Sequence, residues 1–170
     1  EKILIIFISL LAIFSFIFVF SIKNKCLFVK KNDPDKIIFE NRDNIAILNA
    51  ECGNVIIELY PHISPNAVKR FKELIKEKKY DQVAFHRVIK NTLVQGGDLE
   101  FGRKNNLNYT YLGTGSSGLG LLNTEISRTF NFTKGTVGFA RTNKKNTEDS
   151  QFFILLVDAP LFKEEYTPVG

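Results

Sequence analysis

From Ile3 to Ile22 the chain reads ILIIFISLLAIFSFIFVFSI, 20 residues without a charge. At 1.5 Å rise per residue, about 20 apolar residues cross a hydrocarbon core of roughly 30 Å. A cleavable signal peptide usually has an apolar region of about 7–15 residues. This run is longer, and Phe20-Ser21-Ile22 makes a poor small-residue cleavage site. Residues 1–22 are therefore read as a single-pass membrane anchor in contact with the lipid bilayer. A signal peptide is the alternative, and a buried soluble helix the weakest of the three. Residues 23–44 mix charge, Asn and one Pro around a short apolar patch at Ile37–Phe39 and read as a linker.

Beyond Ile45 the pattern changes to that of a folded domain, residues 45–170. Ile45 and Ile47, then Val55, Ile57 and Leu59, alternate with other residues at the period of half-buried strands. Glu51-Cys52-Gly53-Asn54 between them predicts a hairpin turn. Ser64 as N-cap and Pro65 at the first helical position predict a helix that ends around Lys78–Lys79. Val68, Phe71, Leu74 and Ile75 fall on its apolar face, and Lys69, Arg70, Lys72, Glu73 and Lys76 on its wet one. Short strands are expected at Val83–Ile89, Leu93–Gln95, Gly135–Ala140 and Gln151–Val157, with a glycine- and asparagine-rich loop over residues 99–122. Several short strands and one clear helix argue for an antiparallel barrel or sandwich.

Composition narrows the function classes. The net charge of +5 is mild and dispersed, with no basic stripe or recognition motif for nucleic acid. The lysines Lys23, Lys25, Lys30 and Lys31 follow the anchor and only Lys2 precedes it, a bias that favours a cytosolic domain and contact with lipid headgroups. The chain opens on Glu1 instead of Met, so its upstream flank and the side of the membrane stay open. Entry into the secretory pathway remains the expectation for location. Cys26 and Cys52 form neither a CxxC nor a zinc spacing; bystander thiols are the default reading, with acylation of Cys26 or a disulfide as alternatives. Gly113-Thr-Gly115-Ser-Ser-Gly118 matches GxGxxG by letter but lacks the flanking strand and helix of a dinucleotide site, so a flexible loop is preferred. His62 reads as a surface residue. No GxSxG and no ligand set supports hydrolase or metal chemistry.

Arg87 stands out. An arginine among Phe85, Val88 and Ile89 is costly to bury without partners, and a core ion pair or a snorkelled surface position is its bland reading. Gln95-Gly96-Gly97-Asp98 follows, and Ser150-Gln151-Phe152-Phe153-Ile154 sets polar beside apolar residues on a distant strand. FHRVI…QGGD together with GTVGFAR…SQFFI resembles the cyclophilin family of peptidyl-prolyl cis–trans isomerases, over roughly Ile45–Gly170. The resemblance implies an eight-stranded antiparallel β-barrel closed by helices, proline-containing client polypeptides as partners, and no cofactor or metal. It implies Arg87 as the catalytic arginine, Gln95 as the residue that hydrogen-bonds the substrate backbone, and Phe153 with Leu93 as the proline pocket. Ala140, Arg141 and Gln151 would flank the substrate, Leu161 and Phe162 would form the rim, and Tyr166 takes the place of the family's usual histidine.

Departures from the family pattern carry their own expectations. Thr92 stands where an aromatic normally walls the proline pocket. Losing that apolar surface, at roughly 25 cal/mol per Å², could cost a kcal/mol or more, which leaves a weakened binding module as the rival function. Leu161 occupies a position that is Trp in the most cyclosporin-sensitive members, so weak cyclosporin binding is implied. The sequence stops at Gly170 where the family continues, so an open sheet edge is expected.

Overall fold

The computed structural model describes residues 2–23, 26 and 33–170. Lys25, Lys30, Lys31 and the side chain of Lys23, on which the basic flank rests, lie outside the described residues. The chain forms two compact units, Glu1–Glu40 with Ile47–Ile56, and Asn41–Ala46 with Ile57–Gly170.

The first unit contains α1, Lys2–Lys23, whose stretch Lys2–Phe20 is long and apolar enough to cross a membrane. A signal sequence shows the same feature. The side chains of α1 from Ile3 to Phe20 are exposed. The strands β1 (Ile45–Ala50) and β2 (Gly53–Glu58) make a two-stranded sheet whose turn carries Cys52. Cys26 and Cys52 are joined by a disulfide, with Cα atoms 4.9 Å apart. The bystander-thiol reading is therefore corrected. The hairpin turn brings Cys52 to a residue 26 positions away, which residue spacing alone does not encode.

The second unit is built on α2 (Pro65–Lys76) and a four-stranded antiparallel sheet in the order β3 (Arg87–Ile89), β4 (Leu93–Gly96), β6 (Phe152–Leu155), β5 (Val137–Phe139). Strand alternation sends the adjacent residues Phe152 and Phe153 to opposite faces. Phe152 packs edge-on against Phe71 of α2 at 5.3 Å and against Tyr80 at 5.4 Å. On the other face Leu93, Phe132, Phe153 and Leu155 form a second buried cluster. The β3 strand is shorter than expected: Val83 makes only an isolated bridge to Arg103, and pairing begins at Arg87. The outer edge of β5 is covered. Val137 donates its N–H to Gly170 O at 2.7 Å and accepts from Val169, and Gly138 bridges Pro168. Within the four-stranded sheet, among the described residues, β3 is the strand left paired on one side only.

Three local expectations for α2 change. Ser64 sits at the N-cap but does not cap; its hydroxyl donates to the Pro168 carbonyl. The free N–H groups of Asn66 and Ala67 donate instead to the Glu125 carboxylate, at 3.2 and 2.9 Å, where the helix dipole also favours negative charge. Arg70, expected in water, is buried, while Ile75 is 39% exposed. The Arg70 guanidinium donates to Asp149 at 2.8 Å and to the carbonyls of Gly120 and Leu119 at 3.0 and 3.2 Å. That partner set offsets the cost of desolvating the charge. Removing it leaves the Asp149 carboxylate without its counter-charge, with hydrogen bonds from Ser117 alone. Arg70→Ala should lower unfolding free energy by about 3 kcal/mol, read from urea midpoints of the full chain in detergent.

Candidate active site

Cross-strand register assembles the site. Arg87 on β3 lies opposite Gln95 on β4, Gln95 opposite Phe153 on β6, and Phe153 opposite Gly138 on β5. Directly opposed residues of antiparallel strands point to one face, so the four form a single row across the sheet. Gly138 is required there: a Cβ would enter the ring of Phe153. Leu93, two residues before Gln95, shares the face and is buried with Phe153.

The polar half of the row is linked by hydrogen bonds. Arg87 Nη1 donates to Gln95 Oε1 at 3.2 Å, and Gln95 Nε2 donates to Gln151 Oε1 at 3.0 Å. Arg87 itself is exposed, so the desolvation argument first made for it does not apply. The inward member of the pair is His86.

The apolar half is stacked. Phe153 is 2% exposed and packs against Tyr166 at 5.2 Å and Phe162 at 5.7 Å, both edge-on. Arg141 lies over the Tyr166 ring at 5.0 Å and pairs with the Glu165 carboxylate. Its guanidinium is thus committed within the protein. Ala140 is half-buried and donates its N–H to Gln151 O at 2.8 Å. Leu161, in the short 3-10 helix Pro160–Glu164, is 82% exposed beside the half-buried Phe162.

A cleft of about 370 Å³ opens beside the row. It is lined by Gln95, Ala140, Arg141 and Gln151 among the expected residues, and by Gly113–Ser116, Thr142 and Thr147, which the sequence reading did not place at the site. Arg87, Phe153 and Leu93 lie outside that lining. The only sequence signal for the extra wall was the GxGxxG letter match, set aside as a flexible loop. That loop is held by side chains: Gly113 and Gly115 donate to Asp98, and Ser117 donates to Asp149.

Two ionisable groups, the half-buried His86 and the fully buried Asp98, sit beside the glycine wall of the cleft. Burial pushes the His86 pKa below its ordinary 6.5, and Arg87 adds to this; the Asp98 charge, Gln151 and the Ala84 backbone pull the other way and lose. Both ring nitrogens are buried without a hydrogen bond of good geometry. Burial alone would raise the Asp98 pKa. Backbone N–H bonds from Phe101, Gly113, Gly115 and Glu100 outweigh it, leaving the carboxyl below its ordinary 3.8. The sign for His86 follows from linkage. Its contribution to stability is complete above pH about 6.5, where the unfolded ring is neutral too. It is lost as pH falls from there toward the lowered folded-state pKa. Urea midpoints measured between pH 7.5 and pH 5 should decline in the native chain, and His86→Phe should flatten that decline.

The chain matches the sequence profile of the family described as "Cyclophilin type peptidyl-prolyl cis-trans isomerase/CLD" over residues 45–170. It is 40% identical over 129 residues to a "Probable peptidyl-prolyl cis-trans isomerase" of Brucella suis, covering 75% of this chain and 65% of that one. It is 32% identical over 123 residues to a peptidyl-prolyl cis-trans isomerase of Acinetobacter baylyi, covering 72% and 60%. The chain therefore spans less than two thirds of the length of these bacterial relatives. A crystal structure of a Cryptosporidium parvum cyclophilin-type isomerase, determined in the presence of the dipeptide Ala-Pro, superposes with TM-score 0.60 at 30% identity, covering 69% of this chain and 71% of that one. A cyclophilin from Hirschia baltica, at 22% identity and TM-score 0.63 over 76% of this chain and 64% of that one, shares the fold.

Proposed function

This chain belongs to the family of cyclophilin-type peptidyl-prolyl cis–trans isomerases, and we propose that it accelerates rotation about X–Pro bonds in client polypeptides, with Arg87 as the catalytic group. The observation that carries this reading is the Arg87–Gln95–Phe153 row, with the guanidinium hydrogen-bonded to the Gln95 oxygen. Residues 45–170 form the isomerase domain on this reading, residues 23–44 the linker, and residues 1–22 the anchor.

Amide physics supplies the mechanism. Rotation of an X–Pro bond faces a barrier of about 18–20 kcal/mol because conjugation must be lost, and uncatalysed exchange takes on the order of tens to hundreds of seconds. In the twisted state the proline nitrogen becomes pyramidal and gains a lone pair. An N–H of the exposed Arg87 guanidinium donates to that lone pair and stabilises the twisted state over either planar one. One N–H of the Gln95 amide is spent on Gln151, which leaves the other for a substrate carbonyl. Phe153 and Leu93 floor the ring-binding surface, Phe162 and Leu161 form its rim, and Tyr166 closes it toward Arg141. Ala140, Arg141 and Gln151 flank the client backbone along the cleft. The guanidinium is permanently charged, so this chemistry draws on no group supplied from outside the chain.

A second reading has its own support. Phe153 is almost wholly covered by Phe162 and Tyr166, and Thr92 contributes little apolar wall. A module that binds proline peptides and turns them over slowly fits those features, and with Leu161 at the rim it binds cyclosporin weakly. A protease-coupled assay on an X–Pro peptide, with the full chain in detergent, separates the two. Acceleration by the native chain, reduced about 100-fold or more in kcat/KM by Arg87→Ala, is expected. Peptide binding without acceleration supports the second reading, and a native rate in Arg87→Ala removes the arginine from the mechanism.

The helix α1 would hold the domain at a membrane as a single span. The Cys26–Cys52 disulfide supports a compartment outside the reducing cytosol, against the lysine bias of the sequence. In sealed membrane vesicles of known orientation, a maleimide should label neither cysteine until a reductant that cannot cross the membrane is added on the domain's side. Labelling without reductant would place the domain in a reducing compartment.

A further inference from the structure

The stretch Gly113-Thr-Gly115-Ser-Ser-Gly118 has no part in the reading above beyond lining the cleft, yet two of its glycines are gripped from both sides. The N–H groups of Gly113 and Gly115 donate to Oδ2 of Asp98, at 2.7 and 3.2 Å. Their carbonyls accept from Nε2 of Gln151, at 3.0 and 3.1 Å. The other carboxylate oxygen, Oδ1 of Asp98, accepts from the N–H groups of Glu100 and Phe101 at 3.1 and 2.8 Å. Asp98 is fully buried and spends both oxygens on backbone. The glycines are required: a Cβ on Gly115 would run into the Asp98 carboxylate, and Gly113 holds φ +92°.

Donor and acceptor counting extends this clamp to the arginine. Both N–H bonds of the Gln151 amide are committed to the loop carbonyls, so only its Oε1 can face Gln95. Gln95 must then present Nε2 to Gln151, which turns its own Oε1 toward Arg87. Reversing either amide would set N–H against N–H. The exposed guanidinium, on a side chain with many rotamers, is thereby given one fixed acceptor.

We propose that Asp98 is a positioning residue for isomerisation. Through Gly113 and Gly115 it sets the orientation of the Gln151 and Gln95 amides, and so the direction of the Arg87 guanidinium. This rests on the reading that Arg87 is the catalytic group.

The test is a mutant cycle on the full chain in detergent, with kcat and KM for an X–Pro peptide obtained by exchange NMR. Asp98→Asn keeps the shape but leaves one acceptor oxygen; with that oxygen on Glu100 and Phe101, its NH2 group opposes the N–H groups of Gly113 and Gly115. Gln151→Met cuts the next link and leaves the carboxylate in place. Each should lower kcat about tenfold, as misplacement of a reacting group does, and in Asp98→Asn, whose side chain lies away from the client backbone, KM should stay within about twofold. The double variant should be no slower than the slower single, the non-additivity of residues acting in one chain. A kcat near the native value in either single variant, a loss confined to KM, or losses that multiply in the double would overturn the proposal. Should circular dichroism show Asp98→Asn unfolded, Gly115→Ala replaces it in the cycle under the same criteria, because its methyl drives the loop off an intact Asp98. Arg87→Ala run alongside separates the two levels. Native turnover in that variant rejects the catalytic arginine itself. Loss of turnover there, with Asp98→Asn and Gln151→Met both native, rejects only the relay.

Discussion

One register governs the site. Arg87, Gln95, Phe153 and Gly138 occupy a single row across β3, β4, β6 and β5, and neighbouring strands lie about 4.8 Å apart. A slip of one residue in β4 against β6 would carry Gln95 and Leu93 to the helix side of the sheet. Two packing facts oppose such a slip. Phe153 fits only because Gly138 offers no side chain opposite it, and Phe152 is engaged edge-on by Phe71 and Tyr80 on the far face. Adjacent phenylalanines therefore serve two layers, one holding α2 to the sheet and the other flooring the candidate site.

Around that row, two buried charges, Asp98 and Arg70, are held by backbone groups. Asp98 accepts four N–H groups, and Arg70 donates to two carbonyls as well as to Asp149. Both therefore act on the stretch from Gly113 to Gly120 instead of forming isolated ion pairs. A loop rich in glycine pays a large entropy cost on ordering, and these two residues supply the compensating bonds. The outcome is a cleft wall with a defined shape beside Gln95.

The other unit answers a different constraint. Its helix exposes apolar side chains along its length, a feature that membrane spans and signal sequences share. Its covalent link between Cys26 and Cys52 ties the hairpin turn to the chain that follows the helix. A disulfide at that place constrains the unfolded chain by loop closure.

Periodicity and local chemistry in the sequence determined the elements: the apolar run of α1, the Pro65 start of α2, the β1–β2 hairpin and the short strands β4 and β6 are all signalled by neighbours within a few residues. The motif residues of the site were legible too, because FHRVI, QGGD and SQFFI each lie within one segment. What the sequence could not determine was set by partners far along the chain. Arg70 reads as solvent-facing by helical spacing and is buried because Asp149 waits 79 positions away. Ser64 reads as a cap, yet Glu125 does the capping while Ser64 turns to Pro168. Cys26 and Cys52 read as unrelated thiols until a turn brings them together. The glycine loop reads as loose because nothing nearby could hold it, and it is held by Asp98, just past β4, and Gln151, just before β6, which meet it only in three dimensions. Spacing along a chain reports which side of its own element a residue faces; which partner stands there is decided when the elements pack.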